Sequence, residues 1–140
     1  MHTFKSIAGI LLAVPLALAA LETAAATPAE IQKSFDMAAR AGASGFSGFS
    51  VARGQQFFSS SHGNDWSCTS CHTANPAATG KHAKTGKEIA PLAPAANLQR
   101  FTDEAKVEKW FKRNCNDVLG RACTAQEKGD VLAYLMSLAK

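Results

Sequence analysis

Past residue 21 the chain has no apolar run near the ~20 residues that a bilayer-spanning helix needs, which excludes such a helix there. No βαβ pattern is present, and residues 60–98 show no alternation of apolar and polar side chains. A thioredoxin-like setting for the cysteines is thereby excluded. Cysteine is limited to four residues, of which Cys68 and Cys71 form one close pair. Cys115 and Cys123 lie far downstream with seven residues between them, a spacing that suits a zinc site badly. Methionine is scarcer in useful places: Met1 opens the chain, Met37 precedes the cysteines, Met136 lies near the end, and residues 73–133 hold none. Charge of neither sign dominates. A formal net charge of +4 is weak support for nucleic acid and fits either ordinary solubility or docking to an acidic partner.

The N-terminus reads as a secretory leader. His2 and Lys5 precede an uncharged apolar run from Ile7 to Leu21, and Ala24-Ala25-Ala26 supplies a small-residue cleavage pattern. A membrane anchor is the competing reading, opposed by Pro15 and the short apolar length. The expected division is a signal peptide over residues 1–26 and one domain over residues 27–140, about 114 residues (140 − 26). Export places the chain in the periplasm, where disulfides are permitted.

Residues 68–72 read Cys-Thr-Ser-Cys-His, an attachment pattern for c-type haem. Two thiols one turn apart can add to the two vinyl groups along one porphyrin edge. The following histidine then sits beneath the ring with its imidazole aimed at the iron. The competing readings are a plain disulfide or half of a zinc site, and the latter lacks its second ligand pair. One covalently attached haem c is therefore expected, with Cys68 and Cys71 as thioethers and His72 as the proximal iron ligand. Lys81, Lys84 and Lys87 follow closely and form either a docking surface for an acidic redox protein or a solvated loop.

Helix signals lie on both sides of this motif. Thr27-Pro28-Ala29-Glu30 is a capping box with Pro at the first position, and Ile31, Phe35, Ala38 and Ala39 give an apolar face that Gly42 ends. After a Gly/Ser-rich linker from Ala43 to Ser50, a second helix is expected from Val51 to about Ser59. Residues 60–98 are rich in Gly, Pro, Ser, Thr and Asn. So long a loop is unusual in a small domain unless it wraps a cofactor whose surface replaces a core. A third helix is expected from Thr102, with Asp103 and Glu104 in its first turn. A fourth follows the capping box Thr124-Ala125-Gln126-Glu127, with Val131, Leu135 and Leu138 as its stripe and Leu132 and Tyr134 beside it. The expected fold is an all-α single domain of about four helices with long haem-wrapping loops. It resembles the class I cytochromes c, in which an early helix carrying a Gly and an aromatic residue crosses the C-terminal helix. Gly54 with Phe57 or Phe58, against Val131–Leu138, fits that arrangement.

Most class I cytochromes complete the iron coordination with a Met downstream of the haem motif, and this chain has none in residues 73–133. Met136 lies about 140° from Val131 on a helical wheel and flanks the core stripe. On the third helix Val107, Trp110, Phe111 and Val118 share one apolar sector, and Asn114 falls about 20° from Val107 within it. A buried amide without a partner costs about 1–3 kcal/mol, and an iron atom or its ligand would be such a partner. A backbone-satisfied Asn near a helix end is the competing reading. Asn116 shares a face with Lys112 and Arg113 and is expected to be wet. Trp110 and Phe111 are candidates for packing on the haem. His82, Asn97 and nearby lysines are weaker candidate ligands, and the Pro91 carbonyl is a candidate to orient the His72 ring. Cys115 and Cys123 are expected to form a disulfide, as a staple rather than a redox switch.

The runs Thr85-Gly-Lys-Glu-Ile-Ala-Pro-Leu-Ala-Pro94, Arg100-Phe-Thr-Asp103, Arg113-Asn-Cys-Asn116, Leu119-Gly-Arg121 and Cys123 resemble the sphaeroides haem protein family from the haem motif to the end of the chain. The resemblance implies a haem attached through Cys68 and Cys71, axial ligation by His72 and Asn114, and a Cys115–Cys123 disulfide directly after the Asn. It implies a protein that becomes high-spin on reduction and binds oxygen and nitric oxide; carbon monoxide is a further expected ligand of the reduced iron. A diheme cytochrome c and a membrane cytochrome b are the implied electron donors. The related cytochrome c″ of methylotrophs shares the pattern but has a His where this chain has Asn114. Three functions remain open on these grounds: a gas-binding module, a plain electron carrier, and a terminal reductase of oxygen or a nitrogen oxide. No acid–base pair of a peroxidase distal site is visible, so no enzymatic activity is assigned.

Overall fold

The computed structural model describes residues 25–138; the expected leader, up to residue 24, lies outside the described residues. Helix α1 spans Pro28–Gly42 and begins where the sequence places it. The Thr27 hydroxyl accepts from the Glu30 N–H while the Glu30 carboxylate accepts from the Thr27 N–H at 2.7 Å, closing the capping box. Ile31, Phe35 and Ala39 are buried. Ala38, at the edge of that face about 60° from Phe35, is exposed rather than part of the core.

Helix α2 spans Val51–Ser59 and packs across the last helix, called α5 below, which spans Ala125–Ser137 and starts from the Thr124/Glu127 capping box. The crossing depends on Gly54, because a Cβ there would overlap the backbone carbonyl of Asp130. Phe58 is buried one turn on, its ring 5.7 Å from that of Tyr134. Asp130, itself buried, locks the crossing. Its carboxylate accepts from the Ser50 N–H at 2.6 Å and from Arg53 Nε and Nη2 at 2.8 and 2.9 Å. Helix α1 also packs on α5, and Ile31, Phe35, Val131, Leu132 and Leu135 belong to one buried core cluster with Phe58 of α2.

Three short elements occupy the long connection. Helix α3 is the single turn Thr69–His72, and β1 (Gly80–Lys81) pairs antiparallel with β2 (Glu88–Ile89), Gly80 opposite Ile89 and Lys81 opposite Glu88. Two-residue strands and a four-residue helix are shorter than any period by which apolar alternation could announce them. The described residues therefore contain five helices where about four were expected. Helix α4 spans Glu104–Leu119. It starts later than Thr102 because the Asp103 carboxylate takes the N-cap role, accepting from the Lys106 N–H at 2.9 Å. Gly120, at φ 69°, ends it in the left-handed conformation that favours glycine. Among the described residues no helix is long and apolar enough to cross a membrane.

Candidate haem site

The Cys-x-x-Cys-His motif is wound into one helical turn. The His72 and Cys71 N–H groups both donate to the Cys68 carbonyl, at 3.0 and 3.3 Å. Thr73, at φ 63°, stops the turn and sends the chain away. Both thiols are free and half-buried. Burial pushes the Cys68 thiol up to about 11, so as a free thiol it is protonated at neutral pH.

The long connection folds over this turn. A Cβ at Gly80 would overlap the Cys71 carbonyl, so β1 lies directly on the motif backbone, and the Ala83 N–H donates to Cys71 Sγ at 3.4 Å. The His72 ring lies 6.2 Å from the buried ring of Phe58. Burial, with a smaller contribution from the Arg100 guanidinium, lowers the His72 imidazole to about 4. A neutral imidazole at physiological pH is the form that can donate a lone pair to iron. Among the described residues no group of three His, Cys, Asp or Glu side chains is placed to hold a metal ion unaided. Two free thiols one turn apart with an adjacent neutral imidazole instead match the requirements of a thioether-linked porphyrin.

The remaining predicted site residues are placed as follows. Cys115 and Cys123 are joined in a disulfide, with Cα atoms 5.6 Å apart. Asn114 is exposed, as Asn116 is, and not buried as its place on the wheel suggested. The reason lies in the true centre of the buried face. Val107, Cys115 and Val118 are the buried residues of α4, and Phe111 meets Phe35 edge-on at 5.7 Å. That face is rotated toward Cys115, which leaves Asn114 on its flank. Trp110, one turn earlier on the same flank, is 44% exposed, with the Arg113 guanidinium 5.6 Å from its ring centre. The Pro91 carbonyl accepts from Arg100 Nε at 2.9 Å and Asn97 Nδ2 at 3.3 Å, so Asn97 is engaged with the backbone. His82 Nδ1 accepts from the Thr85 N–H at 3.2 Å, inside its own turn. Lys81, Lys84 and Lys87 are exposed, and the Lys84 ammonium lies 4.8 Å from the centre of the Trp66 ring.

Residues 44–135 match a family model described as a domain of unknown function (DUF1924). The solved structure of oxidised cytochrome c″ from Methylophilus methylotrophus superimposes with a TM-score of 0.72 at 39% identity, covering 81% of this chain and 95% of that one. The chain belongs to the family of cytochrome c″ and SHP. The structure of oxidised SHP, described as an oxygen-binding cytochrome c, gives a TM-score of 0.70 at 44% identity over 81% of this chain and 99% of the other. In sequence, cytochrome c″ of M. methylotrophus is 47% identical over 95 residues, 65% of this chain and 66% of that protein. The cytochrome c-type protein SHP of Cereibacter sphaeroides is 61% identical over 69 residues, 49% of this chain and 53% of that protein. The chain thus spans just under two thirds and about half of these curated relatives. The fold is that of the class I-like all-α cytochromes, and the cofactor of this cytochrome is haem c.

Two hydrogen-bond pairings of the site are not readable from the sequence. Arg100 is half-buried, with Nη2 donating to the Ala90 carbonyl at 2.7 Å as well as Nε to Pro91. Asn64 Nδ2 donates to the Val118 carbonyl at 2.8 Å across 54 residues of chain. Neither pairing has a local pattern, and only tertiary proximity creates it.

Proposed function

We propose that this cytochrome is a periplasmic monohaem protein with His72 and Asn114 as axial ligands, which takes up a diatomic gas, oxygen or nitric oxide, when reduced. The observation that carries the reading is the α3 turn, with two free thiols and a neutral imidazole, in a chain with no Met between residues 73 and 133. The description of the SHP structure as an oxygen-binding cytochrome supports the gas-binding part. When bound, the haem supplies the redox-active iron and the position at which a gas binds.

The residues divide the work. Cys68 and Cys71 would hold the porphyrin through thioethers, and His72 would supply the permanent nitrogen ligand to its iron. Asn114 would supply a labile oxygen ligand, because an amide oxygen is a weak neutral donor suited to ferric rather than ferrous iron. The Asn114 amide N–H would also be available to donate a hydrogen bond to a bound gas. Trp110 and Phe111 flank this position and are assigned to haem packing. The Cys115–Cys123 disulfide braces the backbone beside Asn114. A diheme cytochrome c and a membrane cytochrome b are the proposed electron donors, carried by the family likeness, and a cleaved leader over residues 1–26 delivers the domain 27–140 to the periplasm.

The test is carbon monoxide binding. The reduced, haem-loaded protein is expected to bind it rapidly and the ferric protein not at all. A ferrous form that stays six-coordinate and refuses carbon monoxide would leave a plain electron carrier as the function.

A further inference from the structure

We infer that Asn64 is a positioning residue for Asn114: its amide ties the ligand-bearing turn of α4 to the loop that leads into the haem-attachment turn. The inference rests on the assignment of Asn114 as axial ligand and adds the part that sets its reach.

Asn64 Nδ2 donates to the carbonyl of Val118 at 2.8 Å. Val118 lies four residues from Asn114, one turn along the same side of α4. Its carbonyl is among the last of the helix, where backbone acceptors have no intrahelical partner; the Gly120 N–H takes Asn116 instead. Asn64 in turn precedes Cys68 by four residues, so one side chain links the two halves of the haem site.

The loop is built to hold that amide in place. His62 and Gly63 are consecutive residues in the left-handed region, at φ 55° and 82°, uncommon for a residue other than glycine although histidine is among those that tolerate it better. His62 Nε2 is 2.9 Å from the Phe57 carbonyl and its ring lies 4.4 Å from the Phe57 ring, which anchors the turn on the end of α2. The Asn64 N–H closes the turn onto the Ser61 carbonyl at 2.9 Å. A brace therefore runs from α2 through His62 and Asn64 to the end of α4, joined there by the Cys115–Cys123 disulfide. Contacts of the other half of α4, Phe111 on Phe35 and Glu108 on Lys128, lie on the far side of Asn114 in sequence. Within the C-terminal half of α4, the Asn64 hydrogen bond and the disulfide add to the burial of Cys115 and Val118 in fixing where Asn114 lies.

Asn64→Ala in the haem-loaded protein is the test, read by the ferric optical spectrum and by the carbon monoxide association rate of the ferrous form. Loss of one neutral hydrogen bond is expected to shift the ferric closed-to-open ratio by about two- to tenfold toward open, with a faster association rate. Ala39→Gly, a remote substitution in the buried face of α1, serves as the control for general loosening. The inference is overturned if Asn64→Ala lowers the melting temperature but leaves both readings at wild-type values, since Asn64 is then only a helix cap. It is equally overturned if Ala39→Gly moves the ferric spectrum as much. If Asn64→Ala fails to load haem, Asn64→Gln, which keeps the donor on a longer arm, decides by the same two readings. An unchanged ferric spectrum in Asn114→Ala instead sinks the ligand assignment itself, a result distinct from any Asn64 outcome.

Discussion

Gly54→Ala tests the helix crossing on which the fold depends. On an isolated helix the change is favourable by about 1 kcal/mol, because alanine is the better helix former. Here the new methyl group would overlap the Asp130 carbonyl and stand 3.0 Å from the Tyr134 Cβ. The first of these obstacles is backbone, so no rotamer change relieves it. Overpacking of this kind costs about 1–3 kcal/mol. Separating α2 from α5 also loosens the buried Asp130 carboxylate from Ser50 and Arg53, where a hydrogen bond to a charged group contributes about 1.5–3 kcal/mol. The balance is a net destabilisation of about 2 kcal/mol, which lowers the melting temperature of a domain this size by about 10 °C. Thermal unfolding of the haem-loaded variant, followed by far-ultraviolet circular dichroism, measures it. A melting temperature equal to or above wild type would show that the α2–α5 contact is not close, and the reasoning would fail.

Replacing Cys115 and Cys123 together with Ser opens a loop of separation 8 and is expected to cost about 2–3 kcal/mol by the chain-entropy estimate. Denaturant unfolding should show it as a lower midpoint, and an unchanged midpoint would deny the disulfide its role as a staple. Arg121, with Thr124, holds the Glu127 carboxyl below the usual carboxylate range. Its stabilising effect is therefore complete above the unfolded value of about 4.3 and fades as pH falls through the lowered folded value. Glu127→Gln should flatten the acid side of the stability–pH curve; a curve of unaltered shape would contradict the pairing.

The helices were legible where their signals are local. Thr27 with Glu30 and Thr124 with Glu127 start α1 and α5 where the sequence predicts, because each capping box is complete within four residues. Val51–Ser59 has no capping box, and the Gly/Ser-rich linker before it marks its start. The haem-attachment turn was legible as a motif. Asn114 shows where pattern reading ends. A helical wheel reports which residues share a sector, but which part of that sector faces protein depends on the neighbours. Phe35 and the Cys115–Cys123 bond turn α4 toward Cys115 and leave Asn114 exposed. The brace from Asn64 to Val118 and the lock from Arg53 to Asp130, 54 and 77 residues apart, join positions that no local window contains. The β1–β2 hairpin is held by its turn and by Gly80 against Cys71, not by alternation.

The central claim is that Asn114 is the ligand that opens the site. The most direct measurement is the ferric spectrum of haem-loaded Asn114→Ala beside that of the wild type. The account predicts that the substitution alone opens the ferric site, so that the variant shows an open, high-spin spectrum before any reduction. A ferric spectrum identical to wild type would remove Asn114 from the iron and with it the proposed route to gas binding.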